Sequence, residues 1–345
     1  MSKRRLSKQQ TQRLHQRSRG SANARDRIDE DKLGPFRRGL VVAHQGKHVE
    51  IEDENGTTLA CHVRANIIAT AGIVTGDKVQ WQAVTTELQG TKGDKNTGEQ
   101  GVVTAIDDRD NLLARVDNFG KQKLIAANVD RMLITCAPAP EPQPVLIDRY
   151  LVLAHELGVQ ASLVVNKTDL DTRPLETLTN IYEPLGYKVL GTSSKTGKGI
   201  DILQALLAKG TNIFVGQSGV GKSSLLQLLL PGQTLKVGAI AENIGQGRHT
   251  TTQSRLYHLP SGGHCIDSPG IRELGLGLLQ DKAIISAFQD VLERAEHCQF
   301  RDCQHQQEPR CEVRAALADG RLAPSRFSSY CQIQASQQAH RNHTK

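Results

Sequence analysis

The chain has 345 residues, of which 38% are hydrophobic and 3% aromatic, so it is long enough for two or three domains with aliphatic cores. Its formal net charge of +7 favours a polyanionic partner. No apolar run reaches the roughly 18 residues that a membrane helix needs, and no apolar signal-peptide core follows Met1, so we expect a cytoplasmic protein without membrane contact.

The first 37 residues predict a basic, disordered arm. Ten lysines and arginines lie among glutamines and serines in residues 1–35, with almost no apolar residue between them. Such a segment buries too little apolar surface to fold alone. We expect it to contact nucleic-acid phosphates, with an affinity that falls steeply with salt. The alternative is a solvated tail without a binding role.

Residues 38–111 predict a small OB-like β-barrel. Short runs of alternating polarity are separated by turn residues such as Asn55-Gly56 and Gly76-Asp77. Five strands of this length are typical of an OB-fold, although the scarcity of aromatic residues argues against a base-stacking surface. Residues 90–98 are too polar to pack and predict a mobile loop. The five runs are residues 40–43, 48–52, 59–63, 78–84 and 101–106.

From residue 112 the pattern changes to buried strands that alternate with helices, which predicts an α/β domain over residues 112–273 with a mostly parallel sheet. One helix is expected over residues 145–157, where Gly158 ends an apolar stripe, and another over residues 224–230. Strands are expected at residues 131–136, 161–165, 187–190, 212–215 and 263–266.

The strand at residues 161–165 runs into an NKxD sequence, Asn166-Lys167-Thr168-Asp169. A carboxylate at Asp169 can accept hydrogen bonds from both N1–H and N2–H of guanine, whereas adenine offers no such pair of donors. Charged hydrogen bonds contribute about 1.5–3 kcal/mol each, so Asp169 predicts a guanine-specific site. After the next strand, Thr192-Ser193-Ser194-Lys195 is typical of the serine loop that supports the guanine O6 in GTPases.

The segment Gly216-Gln217-Ser218-Gly219-Val220-Gly221-Lys222-Ser223 is a GxxxxGKS motif between a strand and a helix. Its glycines let backbone N–H groups turn inward around phosphate oxygens, and the helix adds the positive end of its dipole. Lys222 is expected to reach the β- and γ-phosphates, and Ser223 to coordinate Mg²⁺. The alternative, a glycine-rich surface loop, is disfavoured by the flanking strand and helix.

Two further segments predict switch regions. Residues 245–252 are polar and contain three threonines, of which Thr251 is our choice to complete the Mg²⁺ shell and Thr250 the alternative. A strand then leads into Asp267-Ser268-Pro269-Gly270, a DxxG sequence. Asp267 is expected to hold Mg²⁺ through water, and the Gly270 N–H to contact the γ-phosphate. Because NKxD precedes the P-loop instead of following DxxG, the sequence predicts a circularly permuted GTPase domain.

Residues 274–345 predict a helical zinc-binding domain. Three cysteines and one histidine lie within fourteen residues, and this donor set forms a closed tetrahedral Zn²⁺ site with a structural role. A chance cluster of free cysteines is the alternative. The four candidate ligands are Cys298, Cys303, His305 and Cys311. Helices are expected over residues 312–318 and 325–334, and a basic surface is expected from Arg310, Arg314, Arg321 and Arg326.

The permuted motif order, the amino-terminal barrel and the Cys-x₄-Cys-x-His-x₅-Cys spacing together resemble the RsgA (YjeQ) family of bacterial GTPases. The resemblance covers residues 38–315 and implies a function in late maturation of the small (30S) ribosomal subunit. It implies GTP hydrolysis stimulated by that subunit, release on hydrolysis, and docking of the barrel and zinc domain on ribosomal RNA. It places GTP or GDP on Asn166, Lys167 and Asp169, and on Gly216, Gln217, Ser218, Gly219, Val220, Gly221, Lys222, Ser223 and Ser224. We expect the protein to act as a monomer.

The resemblance also places a switch histidine at His249. Many GTPases carry a glutamine after DxxG that orients the attacking water. This chain has Ile271 there, whose aliphatic side chain cannot orient water. We therefore expect His249 to be catalytic together with Thr251, the alternative being a loop histidine without catalytic use.

Two other functions remain open from the sequence. A nucleotide-switched RNA-binding regulator would carry the same motifs without stimulated hydrolysis. A metabolic P-loop kinase would share the phosphate loop, but NKxD and the lack of an evident acceptor pocket disfavour it.

Overall fold

The computed structural model describes residues 33–45, 48–84, 101–116, 122–232, 254–267 and 281–343. Residues 1–32 of the predicted arm and the predicted polar loop at residues 90–98 lie outside this part of the chain. The chain divides into two compact units between Asp108 and Arg109.

The first unit is a closed five-stranded barrel. Its strands are β1 (Leu33–Gln45), β2 (His48–Asp53), β3 (Thr58–Val63), β4 (Lys78–Val84) and β5 (Gly101–Ile106). The strand order is β1-β2-β3-β5-β4, and β4 pairs back onto β1. Only β3 and β5 are parallel among the described pairs of this barrel. This is the Greek-key closure of an OB-fold, so the predicted OB-like barrel is confirmed.

Alternation of polarity along the strands builds the core of the barrel. Burial alternates along β3, and Trp81 of β4 is fully buried among aliphatic side chains such as Val41 and Ile51. The Trp81 indole N–H donates to the Arg38 carbonyl across 3.2 Å, which satisfies its one polar group. A short helix, α1 (Ala65–Thr70), connects β3 to β4 and buries Ile67.

Strand β1 begins at Leu33, before the predicted boundary at residue 38. Leu33 pairs with Val84 and Phe36 with Gln82, and the register shifts between these pairs, where Pro35 lies. Proline cannot donate to a ladder, so it is tolerated at such a shift. The pairing with a distant strand stabilises this segment, and its own polarity pattern gives no sign of it.

The second unit contains a six-stranded sheet of β8 (Arg131–Cys136), β9 (Gln160–Val165), β10 (Lys188–Gly191), β11 (Thr211–Val215), β12 (Arg255–His258) and β13 (His264–Asp267). The strand order is β10-β9-β8-β11-β13-β12. Its pairs are parallel except for β12 with β13, as predicted for an α/β domain. The five predicted strands agree with the observed ones within one residue at each end.

An antiparallel hairpin that the sequence pattern did not predict precedes this sheet, formed by β6 (Leu112–Val116) and β7 (Gln122–Ala127).

The helices between the sheet strands include α2, which begins at Pro144 and is followed by Gly158 with a φ of 66°. These helices are α2 (Pro144–Glu156), α3 (Arg173–Tyr182) with a 3₁₀ turn (Glu183–Leu185), α4 (Ile200–Leu207) and α5 (Lys222–Leu229).

The carboxyl-terminal region is helical and belongs to the same compact unit as the sheet. Its helices are α6 (Asp281–Ser286), α7 (Gln289–Ala295), α8 (Glu312–Ala318) and α9 (Pro324–His343). α8 has the predicted bounds, whereas α9 continues past the predicted end at residue 334. α9 packs against α2 of the sheet region.

Candidate functional site

Four predicted motifs meet at one edge of the sheet, because the carboxyl ends of the parallel strands lie there. Cys136 of β8 pairs with Val165 of β9, and Val215 of β11 pairs with Ile134. The NKxD loop after β9, the serine loop after β10, the P-loop after β11 and Asp267 at the end of β13 are therefore neighbours. Ligands of open α/β sheets bind outside this edge.

Two glycines permit the path of the P-loop. Gly216 has a φ of 129°, and a β-carbon on it would lie 2.0 Å from the Thr135 carbonyl oxygen. Gly221 has a φ of 95°, and its β-carbon would lie 2.3 Å from Nδ2 of Asn166. Only glycine fits either position. The loop therefore lies directly against β8 and the NKxD loop.

Asn166 joins three loops of the site. It is fully buried, and its Nδ2 donates to the Val220 carbonyl across 3.0 Å. Its Oδ1 accepts from the Ser194 backbone N–H at 3.0 Å and from the Thr192 hydroxyl at 3.4 Å. One side-chain amide thus fixes the NKxD loop, the serine loop and the P-loop relative to each other.

Lys167 adds a second bridge between the NKxD loop and the P-loop. Its backbone is left-handed, with a φ of 61°. Its ammonium donates to the carbonyl of Gly219 across 2.6 Å and to that of Ala139 across 2.7 Å. The loop between β8 and α2, which contains Ala139, is thereby included in the site.

Asp169 presents a fixed, ionised carboxylate. The Ser193 hydroxyl donates to its Oδ1 across 2.6 Å, and this bond holds the pKa of Asp169 below its usual range, with smaller contributions from Lys195 and Lys167. The side chain is exposed, while its neighbour Thr168 is buried and donates to the Thr192 carbonyl. The carboxylate can therefore accept a pair of N–H donors from a ligand.

The phosphate end of the site is formed by the start of α5. The Lys222 ammonium lies over the P-loop and donates to the carbonyls of Gly216 and Gln217 at 2.7 and 2.5 Å. Ser223 is half-buried in the first turn of the helix, and Asp267 is exposed at the end of the neighbouring strand pair. Ser218, Gly219 and Ser224 are exposed around the loop.

Several predicted residues lie outside the described part of the chain. They are His249, Thr250, Thr251, Gly270 and Ile271. Their predicted roles in the switches and in catalysis therefore remain predictions.

The four candidate zinc ligands converge. Their ligand atoms all lie within 4.8 Å of one another. Sγ of Cys298 is 3.8 Å from Sγ of Cys311, and these sulfurs are 3.6 and 3.5 Å from Nδ1 of His305. A tetrahedral Zn²⁺ with bonds of about 2.3 Å to sulfur and about 2.0 Å to nitrogen separates its ligands by roughly 3.8 Å for S–S and roughly 3.6 Å for S–N. The cluster thus has the dimensions of a tetrahedral metal site.

The surroundings of the cluster also suit a metal. His305 is buried, and burial lowers its pKa, which favours the neutral imidazole that a metal requires. Its ring lies beside Tyr330 of α9, which in turn packs edge-on against Phe288, between α6 and α7. A metal held here would fasten an irregular loop to the helical core.

A buried ion network links the carboxyl-terminal helices to α2. The side chain of Arg326 is only 2% exposed, and its guanidinium forms a bidentate pair with Asp290 of α7 at 2.9 and 3.0 Å. It also pairs with Asp148 of α2, which accepts from the Tyr182 hydroxyl at 2.9 Å. The Arg326 Cζ lies 4.2 Å from the centre of the Phe288 ring. Arg326 therefore joins α9, α7, α2 and α3.

This network corrects the prediction that Arg326 contributes to a basic surface. The buried carboxylates of Asp148 and Asp290 compensate its charge. Arg321 is exposed but pairs with Glu312 and Asp319, both at 2.8 Å. Within the described ranges, Arg310 and Arg314 alone of the four arginines are exposed without an ion pair. The sequence feature that indicates such a network is Asp148, a charged residue on the apolar face of the helix predicted over residues 145–157.

The fold and the site together define a circularly permuted P-loop GTPase, since the NKxD strand precedes the P-loop strand in the chain while β8 alone separates them in the sheet. The family model described as RsgA GTPase matches residues 106–277. A protein of Saccharophagus degradans named small ribosomal subunit biogenesis GTPase RsgA is 41% identical over 348 residues, covering 96% of this chain and 97% of that protein. Its namesake of Azotobacter vinelandii is 43% identical over 340 residues, covering 96% and 95%.

Two solved structures are similar over most of the chain. YjeQ from Thermotoga maritima has a TM-score of 0.68 and 31% identity, covering 88% of this chain and 99% of that chain. YloQ, described as a circularly permuted GTPase, has a TM-score of 0.63 and 26% identity, covering 91% and 98%. The chain belongs to the RsgA GTPase family, and it is a GTP hydrolase. In the part of the chain that the structure describes, no helix is long and apolar enough to cross a membrane.

Proposed function

We propose that this protein hydrolyses GTP during late maturation of the small (30S) ribosomal subunit, binds ribosomal RNA there, and leaves the subunit on hydrolysis. The names of its relatives support the pathway. The contacts of Asn166 with Val220 and of Lys167 with Gly219 support release on hydrolysis, because they connect the loops at the guanine end of the site to the P-loop at the phosphate end.

Asp169 selects guanine in this proposal by accepting N1–H and N2–H. Its carboxylate suits this role because the Ser193 hydrogen bond lowers its pKa and fixes its orientation. The Ser194 backbone N–H donates to Oδ1 of Asn166 and the Thr168 hydroxyl donates to the Thr192 carbonyl, and these two bonds hold the surrounding loops. Adenine would leave the carboxylate without its two donors, at a cost of about 1.5–3 kcal/mol for each charged hydrogen bond.

The P-loop binds the phosphates. Its N–H groups and the first turn of α5 face the phosphate oxygens, and Lys222 exchanges its carbonyl partners for the more strongly accepting β- and γ-oxygens. Mg²⁺, when bound with GTP, neutralises phosphate charge. Ser223 and Thr251 are its proposed ligands, with Asp267 acting through water and Gly270 contacting the γ-phosphate.

Hydrolysis joins a water oxygen to the γ-phosphorus and breaks the bond to the bridging β-oxygen. We assign the orientation of that water to His249, because Ile271 follows DxxG and its side chain cannot donate or accept a hydrogen bond. A chain with this replacement is a slow catalyst until a partner orders the switch. The small subunit is the proposed partner.

Zinc is the metal that best fits the cluster of Cys298, Cys303, His305 and Cys311, because three thiolates and one imidazole at tetrahedral distances are a typical zinc ligand set. Four protein ligands leave no open position for a substrate. Its role is structural. We further propose that the barrel (38–111), the GTPase domain (112–273) and the zinc domain (274–345) act together as a cytoplasmic monomer. In this arrangement the barrel, the zinc domain and the arm (1–37) contact ribosomal RNA.

Single-turnover GTP hydrolysis, with and without purified small subunits, tests the proposal. We expect slow hydrolysis by the free protein and strong acceleration by the subunit, followed by dissociation of the protein. Subunit binding that depends on the nucleotide but leaves the hydrolysis rate unchanged would instead establish the RNA-binding regulator. Transfer of the γ-phosphate to a small molecule would establish a kinase.

A further inference from the structure

Two adjoining cavities lie at the amino ends of the parallel strands, at the sheet edge opposite the nucleotide loops. The first has a volume of about 500 Å³ and is lined by Arg131, Gln160 and Lys188, which begin β8, β9 and β10. The second has a volume of about 410 Å³ and is lined by Ile202 and Lys209 as well as by Arg131 and Lys188. We call the two cavities together the basal groove.

The basal groove is cationic. Arg131, Lys188 and Lys209 line it, and no aspartate or glutamate of the described residues does. Lys188 and Lys209 are exposed, and neither forms an ion pair within the described ranges. The two lysines of the groove thus have no carboxylate partner in the described part of the chain, and the neighbouring carboxylate of Asp130 accepts from the Thr211 N–H instead.

Arg131 is held in place without losing its charge. Its guanidinium donates to the Leu206 carbonyl at 2.5 Å, to Oδ1 of Asn212 at 3.4 Å and to Oε1 of Gln160 at 2.7 Å. All three acceptors are neutral. A guanidinium held in this way, with two exposed lysines lining the same groove, suits binding to a chain of anions better than binding to one compact anion, for which donors converge on a single point.

The groove also offers apolar contact. Ile202 is 55% exposed beside the second cavity, and Leu206 lines both cavities. Aliphatic side chains next to cations can pack against the ribose groups of a nucleic-acid backbone while the cations bind its phosphates.

The basal groove is remote from the nucleotide site. Arg131 begins β8 and Cys136 ends it, and at about 3.3 Å per residue a strand of this length separates the two sheet edges by roughly 16 Å. A ligand in the groove therefore leaves the P-loop and the NKxD loop accessible.

We propose that the basal groove binds the phosphodiester backbone of RNA. The identification of that RNA as the RNA of the small ribosomal subunit rests on the proposed function. The groove would contact phosphates in any sequence, because its charged groups carry no base-specific pattern.

The test compares the full-length wild type with a Lys188→Ala, Lys209→Ala double variant. Binding to purified small-subunit RNA and to intact small subunits is measured over a series of KCl concentrations, and GDP binding is measured in parallel. We expect weaker RNA binding and a salt dependence, as the slope of log affinity against log salt, that is shallower by about 1 for each lysine removed. GDP affinity should not change.

A second double variant, Lys123→Ala with Arg173→Ala, removes the same charge from two other exposed sites of the GTPase domain and serves as the control. It should bind RNA more tightly than the groove variant does. Equal losses in the two variants would overturn the proposal, because net charge alone would then explain them. An unchanged salt slope in the groove variant would also overturn it.

Placement in the groove is tested with a photo-crosslinking residue at Ile202, which should crosslink to RNA. Lack of a crosslink would contradict the groove as the site. If the groove variant binds free RNA normally but no longer binds small subunits, the groove contacts a protein of the subunit instead of RNA. A wild type that binds RNA but not small subunits would refute the proposed function and leave the groove proposal standing.

Discussion

The side-chain amide of Asn166 donates a hydrogen bond to the backbone carbonyl of Val220 across 3.0 Å, between residues 54 positions apart in the chain. The same side chain accepts from the Ser194 N–H. Because Asn166 is fully buried, water cannot replace it in either bond. The NKxD loop, the serine loop and the P-loop are thus parts of one hydrogen-bonded unit.

We expect Asn166→Ala to weaken GTP and GDP binding alike. The change leaves the Val220 carbonyl and the Ser194 N–H unpaired, at a cost of about 1–3 kcal/mol for each buried group, so affinity should fall by at least about tenfold. Titration with a fluorescent guanine nucleotide measures it. Asn180→Ala, at an exposed position of α3, is the matched control. Equal affinity in the two variants would show that the amide does not organise the site.

Asp169→Asn should change the base preference from guanine to xanthine. Xanthine has a carbonyl where guanine has its amino group, so it can accept from the asparagine amide and still donate N1–H. GTP affinity should fall about 100-fold or more, from two lost charged hydrogen bonds, while xanthosine triphosphate affinity rises. Competition binding with both nucleotides measures this. Asp171→Asn, two residues further on, should leave the preference for guanine intact.

His249→Ala should abolish stimulation by the small subunit while nucleotide binding is retained. Loss of one water-positioning group reduces hydrolysis by about 10²–10⁴-fold. Single-turnover rates on purified subunits measure the effect, with His258→Ala on β12 as the control. Full stimulation of the His249 variant would assign the water to another residue.

Removal of the metal should unfold the loop that contains residues 298–311. Thiolate–imidazole zinc sites contribute about 10–16 kcal/mol of apparent binding energy in small peptides, and the ligands must be deprotonated to bind. Cys298→Ser should therefore lower the bound zinc, measured by mass spectrometry, and expose the carboxyl-terminal helices to proteolysis. Zinc should dissociate from the wild type as the pH falls. Cys331→Ser, on α9 outside the cluster, should keep one zinc per chain.

Arg326→Met should destabilise the protein by about 3–5 kcal/mol, because it leaves Asp148 and Asp290 buried without a counter-charge. Urea unfolding measures this, with the exposed Arg314→Met as a control expected to change stability by about 0.5 kcal/mol or less.

The stability of the same variant should fall more steeply with rising pH than that of the wild type does. Burial already raises the pKa of Asp148, and loss of Arg326 raises it further. The folded variant then binds protons that the unfolded chain releases, so its stability falls as the pH rises above the usual carboxyl range. Replacing Asp148 and Asp290 by leucine as well should restore stability. A deficit that does not vary with pH would point to lost packing instead.

Local sequence patterns predicted the elements that carry the nucleotide motifs. The strands before Asn166 and Gly216 are short apolar runs with turn residues at both ends, so their bounds could be read within one residue. The spacing of Cys298, Cys303, His305 and Cys311 was sufficient to predict a cluster, since all four ligands lie on one short segment.

Long-range contacts decided the features that local sequence patterns did not predict. Strand β1 begins at Leu33 because β4 pairs with it, and the β6–β7 hairpin carries no strong alternation of its own. Arg326 looked like a surface cation and is buried, because its partner Asp148 lies 178 residues away on a helix that α9 covers. The basal groove forms because the sheet brings together Arg131, Lys188 and Lys209, which belong to separate segments of the chain.

The sequence alone therefore determined the class of the protein, the order of its motifs and the residue types at its proposed guanine and metal sites. These are properties of short segments, whose hydrophobic period and ligand spacing are local. The tertiary structure decided which charges are buried, how the loops hold one another and where cations without an ion-pair partner among the described residues lie together. Those properties depend on which distant segments pack together, and no local pattern records it.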